Sequence, residues 1–162
     1  MLETLFPRSL ERGYRGHPVA RWVLGLITIV TLVRSLIHIF RHDGGAQSIA
    51  TIPLDTFTPS GAEAVITIFA LWGLSQLLLG VVYGVVFWRY PSLIPFIYVL
   101  FIGEYVGRIF LGLANPLETV ETPPGARANL IFPVLGVLML YLSLPRKKKD
   151  PGEANEAPGV AR

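Results

Sequence analysis

Residues 64–87 read AVITIFALWGLSQLLLGVVYGVVF, twenty-four positions without a charged side chain. A helix rises about 1.5 Å per residue, and about 20 apolar residues cross a hydrocarbon core of roughly 30 Å. The stretch is therefore long enough to span a bilayer. Lipid offers the backbone no hydrogen-bond partners, so only helices and closed barrels cross it. The alternation of a barrel strand is missing here. The stretch is predicted to be a transmembrane helix.

Three more apolar blocks flank it. They run from about Arg21 to Phe40, from about Leu93 to Leu113 and from about Ala128 to Leu144. The last is the shortest and contains Pro133, which a spanning helix tolerates where neighbours satisfy the freed carbonyl. Composition agrees: 52% of the 162 residues are hydrophobic, 15% are charged and the mean hydropathy is +0.54. Soluble domains carry about 25% charged residues. The expected fold class is all-α, an integral membrane four-helix bundle.

The first block also has features of a cleaved leader, with Arg8, Arg12, Arg15 and Arg21 before it and Ser48-Ile49-Ala50 after it. Its length and the arginine inside it, Arg34, favour a retained span.

Lysine and arginine counts set the expected orientation. Ten of them fall on the side holding the amino-terminal segment, the Trp88–Ser92 turn and the carboxyl tail. The opposite side, with the loops at about 41–63 and 114–127, has only Arg41 and Arg127. Both termini are therefore expected in the cytoplasm. Trp22, Trp88, Tyr90 and Tyr141 fall near the inner boundary, where amphipathic rings prefer to sit.

This divides the chain into a cytoplasmic segment (1–20), a four-span domain (21–144) and a basic tail (145–162). The tail has little to bury and is expected to be disordered. Its Arg146-Lys147-Lys148-Lys149 run anchors topology or meets anionic lipid. Nucleic acid is not an expected partner, since no soluble surface interleaves aromatic and basic residues. The absence of cysteine excludes disulfides and thiolate chemistry.

Glycines suggest where helices meet, because small residues permit close approach in lipid. Gly73, Gly80 and Gly84 share one face of the second block, and Gly103 and Gly107 form a Gly-x-x-x-Gly in the third. Both sets are expected to pack inside the bundle; a homo-oligomer is the alternative use.

Polar side chains within the blocks carry the functional reading. Arg34 and His38 stand four residues apart, as do Glu104 and Arg108, so each pair shares a helix face. Asn115 extends the Glu104 face by eleven residues, and Gln76 lies mid-way along the second block beside Gly80 and Tyr83. A charge at a helix centre costs roughly 2.5–3.5 kcal/mol, so these groups should face one another rather than lipid. All four charged or titratable groups fall in the outer half of the membrane. Two arginines against one glutamate leave about one unit of positive charge in excess.

The structural interpretation is an Arg34–Glu104 ion pair that locks the bundle, with Arg108 reaching the outer interface. The functional interpretation is a polar pocket, open outward, formed by Arg34, His38, Gln76, Glu104, Arg108 and Asn115. Guanidiniums donate in bidentate fashion to carboxylate or phosphate, so the expected ligand is a lipid head group, a quinone or a small anion. Two further function classes stay open. One is a membrane enzyme or oxidoreductase subunit using Glu104 or His38 as acid or base. The other is a structural partner subunit. Metal is not expected: His38 and His42 have ligand spacing, but Arg34 and Arg41 stand close by and a third ligand is missing. No cofactor is implied, and the serine-hydrolase elbow is absent.

The run Gly103-Glu104-Tyr105-Val106-Gly107-Arg108, following an Arg-bearing first span, resembles the small four-span bacterial membrane proteins of the DoxX-like group. The resemblance extends over roughly Arg21 to Leu144. It implies a bacterial plasma membrane and a compact four-helix bundle, and it transfers no catalytic residue. Pro133 and the long first outer loop depart from that group's pattern.

Overall fold

In the computed structural model, which describes residues 13–145, all regular structure is helical. Four long helices follow in order: α1 (Pro18–Phe40), α2 (Pro59–Arg89), α3 (Ile94–Ala114) and α4 (Pro124–Ser143). Each is long and apolar enough to cross a membrane, and at most 22% of any apolar window is buried inside the protein. The tail's basic cluster, and Arg8 and Arg12 before the first helix, lie outside the described residues.

Three helices begin earlier than the apolar blocks indicate. Proline at the first position suits the helix geometry and gives up no useful N–H, and Pro18, Pro59 and Pro124 all start helices. His17 Nδ1 accepts from the Val19 amide and Thr58 Oγ1 from the Gly61 amide. Such caps satisfy orphan N–H groups within the first turn. They extend α2 to 31 residues. Pro133 sits inside α4, which continues through it.

The helices pair as antiparallel hairpins. Along α1 and α2, Gly73 lies against His38, Gly80 against Leu32 and Gly84 against Thr28. The numbering falls along one helix as it rises along the other. A Cβ on Gly73 would stand 2.7 Å from His38 Cβ, so the glycine permits this separation. In the second hairpin Gly136 of α4 packs on Ile102 and Phe101 of α3, and Phe132 packs on Tyr105. Near the termini, the His17 amide donates to Leu142 O and the Tyr98 hydroxyl to Ala20 O, joining the two hairpins. Ala20, Leu24, Tyr83, Val86, Ile94, Ile97, Tyr98 and Met139 form the core at that end.

Gly103 and Gly107 correct the expectation of internal packing. A Cβ at either position would meet nothing within 4 Å. They stand on the face of α3 turned away from Phe101 and Tyr105, the residues that contact α4. Close packing in the bundle therefore rests on Gly73, Gly80 and Gly136.

Helices α2 and α3 are joined by the short Pro91–Leu93 turn yet touch each other only sparsely. Toward the loop end, long polar side chains cross the gap. This seam holds the charged residues.

The first long loop folds into a roof. Gly44 and Gly45 adopt φ of +59° and +76°, and Gly44 fits where a Cβ would press on Phe69. Ala46, Ile52 and Leu54 bury against Val65, Ile66 and Phe69 of α2. Thr51, at φ +56°, accepts from the Val120 amide through its carbonyl and donates its hydroxyl to Glu121 O. The two long loops are thereby tied together.

Candidate functional site

The seam is built from three helices. From α1, the Arg34 guanidinium donates through Nε and Nη2 to Gln76 Oε1, at 3.2 and 2.9 Å. From α2, Gln76 Nε2 donates to Glu104 Oε1 at 3.4 Å. From α3, Arg108 donates to the same oxygen through Nε at 3.1 Å and also through Nη2. Four side chains thus form one line: Arg34, Gln76, Glu104, Arg108. Gln76 is 4% exposed and is the hub.

This arrangement corrects the expected Arg34–Glu104 pair. Among the described residues, Glu104 pairs with Arg108 of its own helix, and the neutral amide of Gln76 stands between Arg34 and the carboxylate. The reason is the α2–α3 gap. Arg34 meets α2 first, and only the extended Gln76 and Arg108 side chains cross the opening. Two cations and one anion leave the line with a net positive charge. The Arg108 and Glu104 side chains are 20% and 27% exposed, so the seam opens to the surface along α3.

Trp72, which sequence reasoning passed over, forms the wall of the site. Arg108 Cζ lies 4.9 Å and Arg34 Cζ 5.7 Å from its ring. The His38 ring lies 4.8 Å from it, tilted by 34°. Cation–π attraction to the tryptophan ring adds to the hold on both guanidiniums while their N–H groups donate. The signal was present: Trp72 stands four residues before Gln76 and shares its face.

His38 is 4% exposed and is joined to the roof, its Nδ1 lying 2.7 Å from Gly44 O. A carbonyl oxygen only accepts, so Nδ1 carries a proton there; in the neutral ring Nε2 then holds the lone pair. His42 is exposed, in a surface groove with Asp43, Gln47 and Asp55 beneath the roof. Asp43 fixes the roof, accepting from the Gly45 amide at 3.0 Å and the Ser48 amide at 2.7 Å, with Arg41 Nε at 3.3 Å. Burial works against its charge, but these donors more than offset it and hold its pKa down at about 2.

Asn115 does not join the site. It caps the exposed carboxyl end of α3, and its side-chain amide turns back to Leu111 O at 3.4 Å. The face it shares with Glu104 is geometrically real, but the helix ends there, about 16.5 Å along the axis from Glu104 and beyond the polar line.

Comparison with protein-family models, curated proteins and solved structures finds no match for this chain. What the seam does must be argued from its own chemistry. Its donors are two guanidiniums beside the Trp72 ring, and its one carboxylate is already engaged. A carboxylate or phosphate oxygen approaching along α3 would meet Arg108 first and find an environment short of negative charge. The same groups serve poorly as a cation site, because both arginines would repel the ion.

Proposed function

We propose that the chain is a four-span membrane protein of a bacterial plasma membrane, with both termini cytoplasmic, and that the α2–α3 seam binds an anionic or carbonyl-bearing ligand from the outer side. Lipid head groups, quinones and small anions belong to this class. The reading of the DoxX-like resemblance as kinship is part of the same proposal. One observation carries it: the line Arg34–Gln76–Glu104–Arg108 has an excess positive charge and opens at Arg108 between two helices that barely touch. A lock made only for packing would match its charges, since an uncompensated charge in a low-dielectric setting is costly.

Supporting the membrane reading are four apolar helices with exposed Leu78, Val81, Val106, Phe110 and Leu138, and the ten-to-two distribution of basic residues. Apolar surface on that scale is incompatible with a solvated monomer.

The test is native mass spectrometry of protein purified gently in detergent, comparing the native chain with Arg108→Gln. A copurified anionic or carbonyl-bearing molecule that the variant loses, at unchanged thermal stability, is the expected result. Loss of stability with nothing bound to either chain would leave the seam as a packing device.

A further inference from the structure

Arg108 keeps part of its donor set uncommitted. Its Nε and Nη2 donate to Glu104 Oε1, and among the described residues its Nη1 forms no hydrogen bond. The side chain is 20% exposed. Arg108 stands six residues before the end of α3 at Ala114, about 9 Å along the axis, so its exposed part lies within the span. Lipid tails supply no acceptor there, and a cationic N–H left without one is costly.

The loop-side route to Arg34 and Gln76 is closed. One turn beyond them, the His38, Phe69 and Trp72 rings lie 4.8, 5.6 and 5.8 Å apart, pair by pair. The roof rests on these rings, with Gly44 against Phe69, Gly45 against His38, and Ala46 fully buried. The sideways route is open, because α2 and α3 touch only sparsely. On α3, Leu100, Glu104, Gly107, Arg108 and Leu111 share a face by their spacing. A Cβ on Gly107 would meet nothing within 4 Å, and Leu100 and Leu111 are exposed. Arg108 therefore stands in an apolar strip turned to the acyl chains.

A water-borne anion would have to cross that strip, whereas a lipid already lies in it. Resting on the anion-site reading above, we propose that the occupant of the seam is an outer-leaflet lipid with an anionic phosphate head, entering sideways between α2 and α3. Its phosphate oxygens accept from Arg108 Nη1, and a chain runs past Gly107 toward Leu100 and the midplane. An arginine within a span draws head groups inward by local thinning of the bilayer. The excess positive charge of the line selects an anionic head over a zwitterionic one.

The experiment uses the full chain in phosphatidylcholine nanodiscs, with Trp72 as reporter. Trp22→Phe and Trp88→Phe remove the other two tryptophans, both exposed. Bromine on an acyl chain quenches indole fluorescence only at contact. Half-maximal quenching should need about tenfold less brominated phosphatidylglycerol than brominated phosphatidylcholine, the ratio that one hydrogen bond to a charged group supplies. Arg108→Gln should abolish the preference. Gly107→Leu should abolish it too, by filling the strip beside Glu104 and Arg108, and its melting temperature should hold because the added side chain enters open space. Equal quenching by the two lipids, or a preference that either folded variant retains, overturns the inference. Calorimetric titration with inorganic phosphate then separates the two readings. Phosphate binding that Arg108→Gln removes would keep the anion site and make its ligand water-borne. No phosphate binding, with Arg108→Gln inert in both assays, overturns the underlying reading too.

Discussion

The Arg34 guanidinium closes on Gln76 Oε1, with Nη2 at 2.9 Å, and reaches Glu104 only through that amide. A neutral side chain therefore connects a cation on α1 to an anion on α3. Glutamine suits the task because its two ends are opposite in character, an acceptor for the arginine and a donor for the carboxylate. Leucine would keep the volume and remove both.

Gln76→Leu should therefore destabilise the protein by roughly 2 to 3 kcal/mol, the cost of leaving a largely buried charged donor unmatched. Gln76→Glu should behave differently. It pairs directly with Arg34, sets a second carboxylate beside Glu104 and brings the line to charge balance. Stability should fall less than in Gln76→Leu, while anion binding disappears. Chemical unfolding in mixed micelles reads the first quantity and calorimetric titration with a short-chain anionic phospholipid the second.

The glycines should separate into two classes. Gly73→Ala drives a Cβ to 2.7 Å from His38 Cβ and 3.0 Å from Ser35 O, atoms that cannot swing aside. Overpacking of this kind costs about 1 to 3 kcal/mol. Gly80→Ala meets the end of Leu32, a flexible side chain, and should cost less. Gly103→Ala meets nothing and should be neutral or stabilising by up to about 1 kcal/mol, since alanine favours helix. Thermal unfolding of the three variants should rank them in that order.

The roof should loosen in acid. The Asp43 pKa is held at about 2, below its ordinary 3.8. A carboxyl with a depressed folded value stabilises the folded form above its unfolded value, and that contribution is lost as pH falls toward the folded one. The difference corresponds to about 2 kcal/mol. Amide protection at Gly45 and Ser48 should hold above about pH 4 and decline between there and about pH 2. Asp43→Asn should show weak protection at neutral pH and no further decline over that interval. Hydrogen exchange at these two amides decides it.

The centres of all four helices were legible in the sequence, because an apolar run long enough to cross a bilayer admits few other structures. Their starts were less so, since Pro18, Pro59 and Pro124 begin helices through cap chemistry that hydropathy does not register. The seam was legible in part. Arg34, Gln76, Glu104 and Arg108 stand out because polar groups are expensive in apolar runs, and spacing of four puts each pair on one face. Their partnering was not legible, because it depends on the lateral gap between α2 and α3, which no spacing along one helix encodes. Trp72 was hidden by its own character, for an indole in an apolar run reads as packing. The roof was hidden as well. It rests on Thr51 meeting residues 120 and 121, a contact across some seventy positions that leaves no local pattern.

Orientation is the last quantity to test, and the chain is suited to it, having no cysteine of its own. Glu118 and Pro145 are both exposed and lie at opposite ends of the bundle, one in the second long loop and the other just beyond α4. With basic residues concentrated at the terminus end, Glu118→Cys should react with a membrane-impermeant maleimide in intact spheroplasts, while Pro145→Cys should react only after lysis. The positions of Arg34, Glu104 and Arg108 toward the loop end make this more than a topological check. If Pro145→Cys were the one labelled in intact spheroplasts, the seam would sit in the cytoplasmic half of the membrane. Its ligand would then have to arrive from the cytoplasm or the inner leaflet, and an outward-facing anion site would no longer be tenable.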